Sequence, residues 1–95
     1  MGVPEMKAEY KIPGGKLLAC TVETQNDVIT ELKISGDFFM HPEETIGKLE
    51  RAILGSKVTD YSERIRGFFK NTKVTLLGVA EDDFINVIKL ALDSQ

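Results

Sequence analysis

The stretch Glu31-Leu32-Lys33-Ile34-Ser35-Gly36-Asp37-Phe38-Phe39-Met40-His41-Pro42-Glu43-Glu44 decides the fold, because the spacing of apolar residues changes within it. Before Gly36 apolar residues alternate with polar ones, the period of a half-buried strand. After Pro42 they recur every three to four residues, the period of a helix packed on one side. Working back from Gly36, Leu32 and Ile34 form an inward set, with Ile29, Glu31, Lys33 and Ser35 outward, over a strand at about 29–35. A preceding strand at about 17–25 turns Leu18, Cys20 and Val22 inward, and a first strand at 7–12 alternates Ala8, Tyr10 and Ile12 with Lys7, Glu9 and Lys11. Three strands joined by short loops make an antiparallel meander.

Register follows from parity, since residues facing each other across a hairpin share a face and a one-residue slip would turn every apolar side chain outward. Pairing Ile12 with Leu18 and Tyr10 with Cys20 leaves Gly14-Gly15-Lys16 as the loop and sets Lys16 at its tip. Pairing Val22 with Leu32 and Cys20 with Ile34 leaves Asn26-Asp27-Val28, whose Asn and Asp tolerate positive φ.

Working forward, Pro42 suits the first helical position, and Glu43 and Glu44 suit the positive end of the helix dipole. Ile46, Leu49 and Ile53 form the buried stripe of that helix, and Gly55 ends it in a left-handed cap. A second helix opens on a variant capping box, Asp60 with Glu63, and repeats Tyr61, Ile65, Phe68 and Phe69 along a strong apolar face. The alternation of Val74 and Leu76 in 73–78 fits a connector or a short edge strand equally well. The last helix runs from about Glu81 to Leu92, with acids in its first turn and Phe84, Val87, Ile88 and Ala91 inward. The predicted fold class is α+β: a three-stranded antiparallel meander followed by three helices packed on one face, as a single domain over 1–95.

Composition narrows the function. The chain has 95 residues, 42% of them apolar and 28% charged, the composition of a folded globule. Twelve basic against fifteen acidic residues give a net charge of -3, which offers no surplus of cations for nucleic acid or acidic lipid. The first residues lack the basic and apolar regions of a signal peptide, and apolar runs fall far short of the roughly 20 residues that cross a bilayer. The expected location is the cytoplasm. One cysteine and one histidine do not compose a closed zinc site or a Cys-His nucleophile pair. Cys20 reads as core packing, His41 as the residue leading into a helix, and Glu43-Glu44 and Asp82-Asp83 as dipole-favoured first-turn acids. Pro13-Gly14-Gly15-Lys16 does not match the P-loop pattern and opens no helix.

A Gly14-Gly15-Lys16-Leu17 hairpin before an alternating strand, then Gly36-Asp37-Phe38-Phe39, then His41-Pro42-Glu43-Glu44, resembles the C-terminal domain of lipoate-protein ligase A. The resemblance extends through Leu49 and Gly55 to Gly78-Val79 and Glu81-Asp82-Asp83-Phe84, nearly the whole chain. The larger catalytic domain with the lipoate and ATP sites lies outside it, so the likeness is to the separate accessory subunit, or ligase B, of two-gene archaeal ligases. It implies a subunit inactive alone that binds no cofactor itself. ATP, Mg and lipoate belong in the catalytic subunit, its heterodimer partner; lipoyl acceptor domains are indirect partners. In that setting the implied partner-facing or adenylate-proximal residues are Gly14, Gly15, Lys16, Asp37, Phe38, Phe39 and His41. Two roles stay open for the conspicuous motif. Gly36 can serve a turn while Asp37 caps backbone donors and a phenylalanine fills the core, or Asp37, one phenylalanine and His41 can meet the catalytic subunit. The outward sheet face, mixing Leu17, Ala19 and Ile29 with charges, is a further candidate surface.

Strands followed by helices also suit an iron-sulfur scaffold or a sulfur acceptor, and a free-standing adaptor is a third class. Cysteine arithmetic disfavours the first two: a cluster scaffold needs several thiolates, and a sulfur acceptor needs an exposed one.

Overall fold

A computed structural model describes residues 5–14 and 16–94. Three strands, β1 (Glu5–Ile12), β2 (Lys16–Gln25) and β3 (Val28–Gly36), form an antiparallel sheet in the order β1-β2-β3. After them come β4 (Phe39–His41), α1 (Thr45–Ile53), α2 (Tyr61–Asn71), β5 (Thr75–Leu77) and α3 (Glu81–Leu92). The α+β meander with three helices is therefore the observed architecture. Helix α3 packs across β1 and β2, α1 along β3, and α2 against both helices. Among the described residues no helix is long and apolar enough to cross a membrane.

The inward face of the sheet is the expected one, with Leu18, Cys20, Val22, Leu32 and Ile34 buried. Beginning β1 at Glu5 adds Met6 to that set. The helices supply Leu49, Ile53, Ile65, Phe84, Val87, Ile88 and Ala91 to the same core. Phe84 stacks on Phe69 at 5.7 Å between ring centroids and takes the edge of Phe38 at 5.6 Å, so one aromatic cluster ties α2, α3 and the β3–β4 link together. Cys20 is buried, its Sγ donating to Val87 O at 3.4 Å, and desolvation pushes the thiol up to about 12.

The first hairpin corrects the expected register by two residues. Ile12 faces Lys16, Tyr10 faces Leu18 and Ala8 faces Cys20. The expected pairing would have set Pro13 in the ladder opposite Leu17, where a residue without an N–H is a poor partner. Pro13 and Gly14 lie in the turn instead, Gly14 with φ 109°, and Lys16 opens β2 rather than tipping the loop. A slip of two keeps parity, so the inward set survives. The second hairpin pairs Val22 with Leu32 and Cys20 with Ile34 as expected, but the register shifts between Glu23 and Thr24. Thr30 is the extra residue, its Oγ1 donating to Glu23 O at 3.2 Å, and the turn tightens to Asn26-Asp27 with φ of 53° and 63°. The bulge reverses Ile29: expected outward, it is fully buried. This removes it from the candidate outward surface with Leu17 and Ala19.

The free edge of β3 is covered in two places. Gly55 N–H donates to Ile29 O at 2.9 Å and Ile29 N–H donates to Ser56 O at 2.8 Å, so the α1–α2 loop pairs with the start of the strand. Farther along, Ile34 N–H donates to Glu50 Oε2 at 2.7 Å from α1, a charge-assisted bond at an edge that would otherwise invite strand pairing.

Three helix expectations change. Helix α1 begins at Thr45, three residues after Pro42, because His41 is drawn into a ribbon with Thr75 and Pro42–Glu44 form a turn. Thr45 N–H donates to Pro42 O at 3.0 Å, and Glu43 and Glu44 precede the helix rather than fill its first turn. Ile46 is half-buried rather than part of the buried stripe. The Asp60–Glu63 capping box does not form; Asp60 takes a hydrogen bond from Thr59 Oγ1 at 3.3 Å. The last helix is capped as a box would do it, with Ala80 N–H donating to Asp83 Oδ2 at 2.8 Å.

Candidate functional site

The β1–β2 turn, the end of β3, the β4–β5 ribbon and the start of α3 meet at one end of the molecule. Gly36 makes the junction possible. A Cβ there would lie 2.5 Å from Leu17 O and 3.0 Å from Leu18 Cα, so the backbones of β2 and β3 approach in a space only glycine can occupy. Just beyond, Asp37 N–H donates to Leu17 O at 3.0 Å. Asp37 is thus held by its backbone, and its side chain is exposed.

The next two residues part company. Phe38 turns in against Phe84, whereas Phe39, 72% exposed, turns out. Ribbon geometry dictates this, because β4 pairs with β5 and successive side chains take opposite faces. Phe39 faces Leu77, Met40 faces Leu76 and His41 faces Thr75. Met40 is buried, while Phe39, Leu77 at 60% exposure and His41 lie on the open face. The 73–78 segment left undecided by its sequence therefore contains a short strand, Thr75–Leu77.

Gly78, with φ 82°, brings the chain back across Lys16. A Cβ at Gly78 would meet Asp37 O at 3.6 Å and Lys16 Cδ at 3.8 Å. Lys16 consequently stands between two hollows, one of about 310 Å³ toward Gly36–Phe39 and one of about 540 Å³ toward Gly14 and Gly78–Ala80. Among the described residues its ammonium forms no ion pair. The acids at the start of α3 are engaged elsewhere: Arg66 bridges Glu81 and Asp82, each at 2.9 Å, and Asp83 caps Ala80.

The structure thus gathers Gly14, Lys16, Asp37, Phe38 and Phe39, and extends the group to His41 along β4; Gly15 lies outside the described residues. Leu77 and Gly78 were missed, since their place depends on a ribbon partner more than thirty residues back. In the sequence, only the Gly78 turn before an acidic helix start hinted at them. The arrangement offers a lysine, exposed aromatic and aliphatic side chains and glycine-lined backbone. Among the described residues no group of three or more His, Cys, Asp or Glu converges to hold a metal.

No family model matches the chain. A curated relative does: lipoate-protein ligase A subunit 2 of Thermoplasma acidophilum is 36% identical over 74 residues, covering 78% of each chain. The chain belongs to the lipoate-protein ligase A subunit 2 family. Among solved structures, this subunit 2 homologue is similar to a chain of the archaeal lipoylation system of Thermoplasma acidophilum, described as a bi-partite lipoate protein ligase and its E2 lipoyl domain. The TM-score is 0.82 at 31% identity, over 92% of this chain and 97% of that one. The subunit 2 family is a resemblance the hairpin, Gly36–Phe39 and acidic helix start had already suggested.

Proposed function

We propose that this subunit is a non-catalytic accessory component, required together with a separate catalytic subunit for ATP-dependent activation of lipoate to lipoyl-AMP. The observation that carries the reading is the near-complete overlap with one chain of a two-part ligase. ATP, Mg and lipoate would be held by the catalytic subunit, and lipoyl acceptor domains would meet the assembled heterodimer. Within it, the end of the molecule bearing Gly14, Lys16, Asp37, Phe38, Phe39 and His41 lies toward the partner. Phe38 acts from the core by positioning its neighbours, and Lys16 lies nearest the adenylate. Docking there would order the partner's reacting elements and exclude water, which raises the rate without adding a catalytic group. A buried, unpaired Cys20 fits a reducing cytoplasm and speaks against a sulfur-acceptor role.

The test is complementation. Lipoyl-AMP formation is measured with this subunit, with the catalytic subunit, and with both. Activity only in the mixture is the expected result, and full activity of the catalytic subunit alone rejects the accessory role.

A further inference from the structure

Among the described residues four large apolar side chains are exposed, Leu17, Phe39, Leu77 and Leu90, and three of them belong to the end of the molecule just described. Phe39 and Leu77 are direct cross-strand partners on the open face of the ribbon, and Leu17 holds Asp37 by its carbonyl two residues before Phe39. We infer that the open face of the β4–β5 ribbon, anchored by Phe39 and Leu77, is the surface that docks into an apolar pocket of the catalytic subunit, an inference that rests on the function proposed above. An exposed aromatic beside an aliphatic partner, with a lysine, an aspartate and a histidine around them, has the anatomy of an interface anchor and its polar rim.

Similarity to one subunit of a bi-partite ligase favours a separate subunit over a second copy. Phe39, Leu77 and Leu17 together expose on the order of 300 Å², about half of it from the phenylalanine. Two such patches meeting face to face would bury roughly 600 Å² in total, about half of the smallest stable interface. A larger partner can cover the anchor and also reach the hollow at Lys16 and Asp37 and the one of about 370 Å³ between Ile34 and Ile46. The pairing also explains why the ribbon exists. Met40 alone would seat β4 in the core, whereas pairing with β5 sets Phe39 and Leu77 side by side and facing out.

Heterodimer dissociation constants are compared for wild type, Phe39→Ser, Leu77→Ser and the control Leu90→Ser, with circular dichroism and melting curves checking the fold. Either ribbon substitution should weaken binding about tenfold or more. The control should bind as wild type does, and the free subunit should sediment as a monomer. If wild type binds and both ribbon variants bind equally well, the anchor is wrong. A wild-type homodimer that Phe39→Ser dissolves assigns the face to a second copy and overturns the inference. Failure of wild type to bind the catalytic subunit overturns the proposed function itself, before any variant is compared.

Discussion

Gly36 lies so close to Leu17 that a single added carbon would sit 2.5 Å from the Leu17 carbonyl oxygen. That oxygen is already in use, accepting the Asp37 N–H at 3.0 Å. One glycine therefore sets both the close approach of β2 and β3 and the point from which the ribbon departs.

Gly36→Ala tests this relationship. The obstacle is backbone rather than a flexible side chain, so β3 must shift, and overpacking of this kind costs about 1–3 kcal/mol. For a domain of this size that corresponds to a fall in Tm of roughly 4–24 °C. Heterodimer affinity should fall as well, because the ribbon leaves the sheet at this residue. A melting curve and affinity matching wild type would show that the junction relaxes freely.

Cys20 carries the second prediction. Its thiol is pushed from an ordinary value of 9.0 to about 12 by burial. A raised folded pKa means that stability is fully present below the unfolded value and is lost as pH rises through the folded one. The protein should lose stability between about pH 9 and 12, with Tyr61, also raised by burial, adding a loss of the same sign above 10.0. Cys20→Ala should cost about 1–2 kcal/mol at neutral pH through lost packing and flatten the alkaline decline. Ligase support should be unchanged. Rapid alkylation of the folded protein at pH 7 would contradict the buried thiol and restore the sulfur-acceptor reading.

Lys16 is the charged group nominated for the reaction. Its stem runs beside Gly78 and its ammonium is free of ion pairs among the described residues, so it remains available to an anion on the partner. Loss of a desolvated charge contact costs about 2–3 kcal/mol. Lys16→Ala should therefore slow saturated adenylate formation by roughly 30-fold or more while changing the heterodimer dissociation constant by less than about threefold. Unchanged values for both would leave Lys16 in solvent. A large loss of affinity at an unchanged rate would make it an interface residue only.

Much of this could be read from residue order, and each miss has an identifiable cause. Parity gave the right faces for Leu18, Cys20, Val22, Leu32 and Ile34 even though the first hairpin is offset by two residues, since an even slip leaves every side chain on its side. Lys16 was misplaced by the same slip, because parity cannot distinguish offsets of two and only the exclusion of Pro13 from the ladder does. Ile29 was misplaced by a bulge at Thr30, which has no local signature as strong as the Asn26-Asp27 turn beside it.

For this protein the amino-acid sequence alone determined the α+β class, the inward face of the meander, the α3 helix and the resemblance to ligase subunits, because alternation, helical spacing and glycine or acidic turn signals act over a few neighbouring residues. The tertiary structure alone decided that β4 finds β5, that Phe38 enters the core while Phe39 leaves it, and that Gly78 closes over Lys16. These depend on segments more than thirty residues apart meeting over a shared core, and whether two short strands pair depends on where the helices between them carry the chain.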